Sequence, residues 1–199
     1  MKVIALIGSP RKGGNTDTLA EEFLRGAREA GAETEKVYLD DFRIRPIGEV
    51  GDVSSQRTDD RRDDDMPNVL GAFLEADVVC FASPVYWQGV TAQLKCFLDR
   101  LSCYFRRPDY QKKFSGKGYA VITTFGQTDP EHGEWVTGPL KVCVKVLGGR
   151  YLGEVCVSVY KKGAVRERPE ALSAAFELGR QCAQGTTAPE WRRGPGGKT

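Results

Sequence analysis

MKVIALIGSPRKGGNT, residues 1–16, is the stretch from which the architecture of the chain can be read. Val3-Ile4-Ala5-Leu6-Ile7 is an unbroken apolar run, the pattern of a strand buried on both faces. Gly8-Ser9-Pro10 ends it in a turn, a polar loop with glycines follows, and the spacing predicts a helix from about Asp17 to Ala30. A strand, a tight loop and a helix in this order aim backbone N–H groups and a helix N-terminus at an anion. Ser9, Asn15 and Thr16 offer neutral donors and Arg11 a charged one, while Gly13 and Gly14 let the backbone come close.

Two nucleotide loops are excluded by their missing residues. Gly8 and Gly13 have Walker A spacing, but Gly14 and Asn15 stand where the lysine and the magnesium-binding hydroxyl belong. A dinucleotide-binding G-x-G-x-x-G is also absent from this loop. A loop for a monophosphate held by neutral donors remains, and the phosphate of FMN fits it. A polar turn before a helix capped by Asn15 or Thr16 accounts for the same residues without any ligand.

The 199 residues favour one domain with a full-sized core. A net charge of +2, with no dense basic stripe, argues against a nucleic-acid partner. No apolar run is long enough to span a bilayer, and no signal-peptide pattern opens the chain, so a cytoplasmic location is expected. Cys80, Cys96, Cys103, Cys143, Cys156 and Cys182 form no C-x-x-C pair and read as free thiols; His132, the one histidine, excludes a multi-histidine metal site.

Farther along, strands are predicted at Lys36–Leu39, Ala76–Ala82, Tyr119–Thr124 and Tyr151–Val159, and helices from Met66 or Pro67, over Thr91–Phe105, Trp135–Leu147 and Pro169–Ala183. Residues 47–66 carry little core material beyond a charged run from Arg57 to Asp65 and read as a polar flap; 185–199 read as a flexible tail after a single domain over 1–184. Five strands alternating with helices predict an α/β three-layer sandwich, with a parallel sheet in the flavodoxin-like order 2-1-3-4-5. Ligands of such sheets bind beyond the carboxyl ends of strands 1 and 3, which brings Gly8–Thr16 and Ser83–Gly89 to one pocket.

In the second of these loops, Tyr86 and Trp87 beside Pro84 and Gly89 suit a flat heterocycle; packing against a neighbouring helix or subunit would use the same aromatics. Together, GSPRKGGNT and SPVYWQGVTAQLKCFLDR resemble the NAD(P)H-dependent FMN reductase branch of the flavodoxin-like superfamily, nearest to its iron–sulfur flavoproteins and multimeric flavodoxins. The likeness runs from Met1 to about Gly153, and Asp64-Asp65-Met66 shares in it. It implies an FMN phosphate held by Ser9, Arg11, Gly14, Asn15 and Thr16, and an isoalloxazine lined by Pro84, Val85, Tyr86 and Trp87, with Gln88 and Gly89 close by. Thr124, Phe125, Gly126 and Gln127 would meet the other side of the ring. Lys95, Asp99 and Arg100 match the family pattern and read as structural or interfacial. The clustered cysteines of the iron–sulfur relatives have no counterpart between residues 44 and 66.

The resemblance implies an oxidoreductase that passes hydride from NAD(P)H through flavin N5 to a small acceptor such as a quinone, a nitro- or azo-aromatic or free flavin. A dedicated flavoenzyme for one metabolite, a flavodoxin-type electron carrier and a flavin-dependent sensor are the alternatives, and the near-neutral charge counts against the carrier. His132 is either a donor near the ring or a solvated loop residue, the reading favoured by sequence alone. Arg57, Arg61 and Arg62 either attract dinucleotide phosphates or pair with neighbouring aspartates. The family also implies a homodimer or homotetramer; the apolar Leu94–Phe105 segment is either its interface or covered by its own sheet.

Overall fold

The computed structural model describes residues 1–48, 63–105, 107–187 and 191–193. Most of the expected flap, with Arg57, Arg61 and Arg62, lies outside the described residues, as does most of the expected tail. Six parallel strands form one sheet in the order β2-β1-β3-β4-β5-β6. They are β1 (Lys2–Ile7), β2 (Glu33–Tyr38), β3 (Val78–Pro84), β4 (Gly118–Phe125), β5 (Arg150–Ser158) and β6 (Trp191–Arg193). The helices are α1 (Asn15–Glu29), α2 (Met66–Glu75), α3 (Ala92–Arg100), α4 (Pro108–Phe114), α5 (Glu134–Val146) and α6 (Pro169–Ala183). The order 2-1-3-4-5 is thus as the sequence predicts. A short sixth strand from the expected tail is added beside β5, Trp191 opposite Val155.

Alternation along the strands divides the core. Val3, Ala5 and Ile7 face α1 and α6, whereas Ile4 and Leu6 face α2, α3 and α5. Phe73, Phe81, Phe97, Phe114 and Tyr119 interlock on the second face, Phe81 stacking on Tyr119 at 5.7 Å and Phe73 meeting Phe97 edge-on at 5.5 Å. The expected helix over 91–105 stops at Arg100 and continues as a 3-10 turn over Leu101–Cys103. Pro108 then opens α4, which the sequence reading lacks, by serving at a first helical turn. Leu94, Phe97, Leu101 and Tyr104 are buried and Leu98 and Phe105 pack against the same core, so this segment is covered by its own fold.

On the other face α1 and α6 touch backbone to backbone. A Cβ on Gly26 would lie 1.9 Å from the Phe176 carbonyl oxygen, and one on Gly179 would lie 1.8 Å from that of Phe23. No side chain fits at either position, so the pair is held at a separation only glycine permits.

Arg100 and Asp64 form a fully buried ion pair, with Nη1 to Oδ2 at 2.6 Å. The same carboxylate accepts from the backbone N–H of Arg45 at 3.0 Å and of Met66 at 3.0 Å, while Asp65 and Arg43 exchange two further bonds. These contacts tie the chain before residue 49 to the start of α2. Burial pushes the Asp64 carboxyl up, but Arg100 and the two backbone donors outweigh it and hold it below the usual carboxylate range. The stabilisation is therefore present above the unfolded carboxyl value of about 3.9 and is lost as pH falls through the lower folded value. Asp64→Ala is expected to cost about 3–5 kcal/mol in urea unfolding at neutral pH, because it removes the carboxylate from a buried ion pair. The gap between wild type and variant should narrow as the medium is acidified.

Candidate functional site

Three loops meet at the carboxyl ends of β1, β3 and β4, and their register is set by a few hydrogen bonds. The Thr91 hydroxyl donates to the Gly8 carbonyl at 2.8 Å, and its oxygen caps α3 by accepting from the Leu94 N–H at 3.4 Å. The Gly8 N–H donates to the Ala82 carbonyl at 2.8 Å, and the Thr91 N–H to the Ser83 hydroxyl at 3.1 Å. A Cβ on Gly8 would meet Thr91 Oγ1 at 2.7 Å, so the two loops close on each other only because residue 8 is glycine.

The N-terminus of α1 is the hub of the cleft. Gly14, not Asn15 or Thr16, is its N-cap, and no side chain caps it, which leaves first-turn N–H groups without an intrahelical partner. Thr16 Oγ1 shares a hydrogen bond with Thr124 Oγ1 at 2.7 Å, joining α1 to β4. Asn15 Nδ2 donates to the Lys161 carbonyl at 2.9 Å, and Asn15 Oδ1 accepts from the Val165 N–H at 3.3 Å. The segment after β5 is thereby sewn to α1, and Arg166 adds a bond to the Gly13 carbonyl at 3.1 Å.

A cleft of about 190 Å³ opens over this hub. Of the residues expected at a cofactor, Ser9, Arg11, Asn15, Thr16, Pro84, Val85, Tyr86, Thr124, Phe125 and Gly126 all line it. Val159, Tyr160 and Lys162 join them from the loop after β5, a wall the sequence reading missed. Tyr160 lies so close over Gly126 that a Cβ there would meet its ring at 2.8 Å.

An adjoining hollow of about 460 Å³ shares Val85, Tyr86, Phe125 and Gly126 and adds Trp87, Gln88, Gln127 and His132. Trp87 therefore sits outward of the cleft expected to hold it, and Gln88, expected close by, lies beside it in the outer hollow. Gly89 lines neither space; it closes a two-residue hairpin with Tyr86, with bonds of 2.9 and 3.1 Å. Trp87 and Gln88 form its tip with φ of +46° and +61°, a left-handed backbone that costs an L-residue about 1–2 kcal/mol each. The Trp87 side chain is wholly exposed. The His132 ring lies nearly parallel to Phe125 at 6.4 Å and its Nδ1 is 3.1 Å from the Asp129 carbonyl, so it is held at the rim of the hollow. The proton of that bond is on Nδ1, because a carbonyl only accepts.

Electrostatics favour an anion in the inner cleft. Arg11 and Lys162 line it, and among the described residues no carboxylate does. The nearest one in sequence, Asp17, is buried and spoken for: it accepts from the Gly13 N–H at 2.6 Å, from Tyr38 at 2.9 Å and from Lys36 at 3.1 Å. Burial alone would lower the Lys36 ammonium, but hydrogen bonds to Glu21, Tyr38 and Asp17 raise it, so it remains protonated beside them. Uncapped N–H groups, the Ser9 and Thr16 hydroxyls and the Arg11 guanidinium suit a phosphate, and Tyr86 and Phe125 beside it suit a flat ring. The donor set thus fits FMN.

A doubly covered parallel sheet with a phosphate cradle at its switch point defines a flavodoxin-like nucleotide-binding protein. Comparison with known proteins narrows this: residues 1–164 match the model for NADPH-dependent FMN reductase, and the chain belongs to that family. FMN is accordingly its cofactor and NAD(P)H its reductant, and the chain is a flavin oxidoreductase. It is 30% identical to YwqN of Bacillus subtilis, a protein assigned as an NAD(P)H-dependent FMN-containing oxidoreductase, over 89% of this chain and 96% of that one. It is 32% identical to an iron-sulfur flavoprotein of Archaeoglobus fulgidus over 92% and 80% of the two chains. The solved structure of the Trp repressor binding protein from Bacillus subtilis superposes with a TM-score of 0.69 at 27% identity, covering 89% of this chain and 98% of that one.

If Arg11 meets the FMN phosphate, removing its charge should weaken cofactor binding with little effect on the fold. Arg11→Ala, at an exposed side chain, is expected to raise the Kd for FMN by about tenfold, read from quenching of flavin fluorescence. Thr16→Val should do so by a similar factor and also removes the hydrogen bond to Thr124.

Proposed function

We propose that the chain uses NAD(P)H to reduce a small flat acceptor, such as a quinone, a nitroaromatic or free flavin, and that reductant and acceptor take turns in the outer hollow. The observation that carries this reading is the hollow itself, contiguous with the inner cleft through Val85, Tyr86, Phe125 and Gly126. Its added residues are an indole, two amides and an imidazole, with no fixed charge among the side chains of Trp87, Gln88 and Gln127. Such walls favour a planar, weakly charged ring, whether the nicotinamide of the reductant or a small aromatic acceptor, over a phosphate or carboxylate at the same place.

When bound, FMN supplies the hydride chemistry. The residues divide the remaining work. Ser9, Arg11, Asn15 and Thr16, with the helix terminus behind them, hold the phosphate; Gly14 sets the turn that presents those N–H groups. Pro84, Val85 and Tyr86 face Thr124, Phe125 and Gly126 across the space for the ring. Trp87 and Gln88, at the hairpin closed by Gly89, cover the incoming molecule, which explains an indole held in water on a left-handed backbone. Gln127 offers an amide to its oxygens. His132, positioned through Nδ1, turns Nε2 to the hollow, and when both ring nitrogens carry protons Nε2 can deliver its own to a reduced quinone oxygen.

Anaerobic addition of NADPH should bleach the flavin absorbance, and a quinone should restore it. A protein that stays oxidised under NADPH and NADH but yields to dithionite would instead be a carrier or an enzyme of one metabolite. Trp87→Ala should raise the KM for an aromatic acceptor by about three- to tenfold. His132→Asn should lower kcat with a quinone by about tenfold or more at unchanged FMN affinity. Equal activity in both variants would remove the outer hollow from the reaction.

A further inference from the structure

Asp17 is an anion placed beside a site built for another anion. It stands in the first turn of α1, where the helix terminus favours negative charge, and it is buried. It does not line the inner cleft, so it is no ligand of the phosphate. Its hydrogen bonds show what it holds instead.

Asp17 Oδ2 accepts from the Gly13 N–H, four positions back in the chain, at 2.6 Å. A carboxylate that reaches from the first helical turn to a donor just before the helix is a capping box shifted outward by one residue. Gly13 has a φ of +70°, a left-handed turn, and its carbonyl accepts from Arg166 Nη2 at 3.1 Å. Both peptide planes that meet at Gly13 are therefore gripped, the first by an anion on its N–H and the second by a cation on its carbonyl. Gly14, the N-cap of α1, comes next, and its own N–H donates to the Arg11 carbonyl at 2.9 Å. The setting of Gly13 thus decides where the loop becomes helix, and with it the places of Arg11 on one side and of Asn15 and Thr16 on the other.

A buried carboxylate so near would repel a phosphate dianion unless its charge were met. The strand β2 meets it. Lys36 Nζ lies 3.1 Å from Asp17 Oδ1, and the Tyr38 hydroxyl is 2.9 and 3.0 Å from the two carboxylate oxygens. Lys36 is shared with Glu21 at 2.7 Å, which keeps the ammonium in place when Asp17 changes.

We infer that Asp17 is a positioning residue for the phosphate of the cofactor: it fixes the Gly13 turn, and Lys36 cancels its charge so that the turn can serve an anion. The inference rests on FMN lying in the inner cleft and is independent of the acceptor.

Titration of the flavin-free protein with FMN, and separately with riboflavin, which has no phosphate, tests it through fluorescence quenching. The wild type should bind FMN at least about tenfold more tightly than riboflavin. Asp17→Ala should raise the Kd for FMN by about tenfold and leave that for riboflavin within about twofold, because only the phosphate depends on the loop. Asp17→Asn, whose amide oxygen still accepts from the Gly13 N–H, should recover most of the loss. Lys36→Met should raise the Kd for FMN alone by about three- to tenfold, and Asp17→Asn added to it should lower that Kd again, since the uncompensated charge is then gone. Asp17→Ala weakening both flavins alike, or Asp17→Asn binding FMN no better than Asp17→Ala, overturns the positioning role. If the alanine variant does not fold, the Lys36→Met pair decides: no recovery on adding Asp17→Asn overturns the inference. A wild type that binds both flavins equally removes the phosphate from the inner cleft, and the inference falls with that reading and not through Asp17.

Discussion

The contact on which the binding cleft is built is that of the Thr91 hydroxyl with the Gly8 carbonyl. It joins the first loop to the start of α3 while the same oxygen caps that helix. With the Gly8–Ala82 and Thr91–Ser83 bonds, it sets the spacing of two strand ends that diverge in opposite directions along the sheet. Topology alone places a crevice between β1 and β3, but its width is set by Gly8, which leaves no room for even a methyl group. Thr16, bonded to Thr124, extends the same control to β4.

A second regularity is that three aspartates of the loops and helix starts are paired within the fold. Asp17 is bound by Lys36, Tyr38 and the Gly13 N–H, Asp41 by Lys12, and Asp64 by Arg100. What faces inward is then a set of neutral donors with Arg11 and Lys162. A chain close to neutral overall can thereby hold a dianion, because charge is arranged locally and does not require a basic composition.

Much of this was legible in the sequence for a physical reason: loops after β1 and β3 act through residues adjacent in the chain, so GSPRKGGNT and SPVYWQG carry their chemistry in consecutive letters. The strand order was legible because buried parallel strands are unbroken apolar runs separated by amphipathic helices. What escaped was set by long-range contact. Tyr160 and Lys162 reach the cleft because Asn15 binds the Lys161 carbonyl 146 positions away. α4 is too short for periodicity to show, and only Pro108 hinted at it. β6 has three residues and pairs, among the described residues, with β5 alone. His132 read as solvated because nothing local marks a loop histidine for its stack on Phe125. Trp87 was read into the inner space, since sequence does not tell which way a left-handed hairpin tip turns its side chains.

The glycine contact between α1 and α6 has a mechanical meaning. Backbones in contact at Gly26 and Gly179 leave no side-chain layer to shear, so the two helices behave as one block. Asn15 and Arg166 bolt the segment after β5 to that block. One jaw of the cleft is therefore rigid from the phosphate cradle to Tyr160. The opposite jaw is held by single bonds, the Val85 N–H to the Thr124 carbonyl and the Ser158 hydroxyl to the Gln127 carbonyl, so adjustment to ligands of different thickness falls to the exposed Trp87 tip.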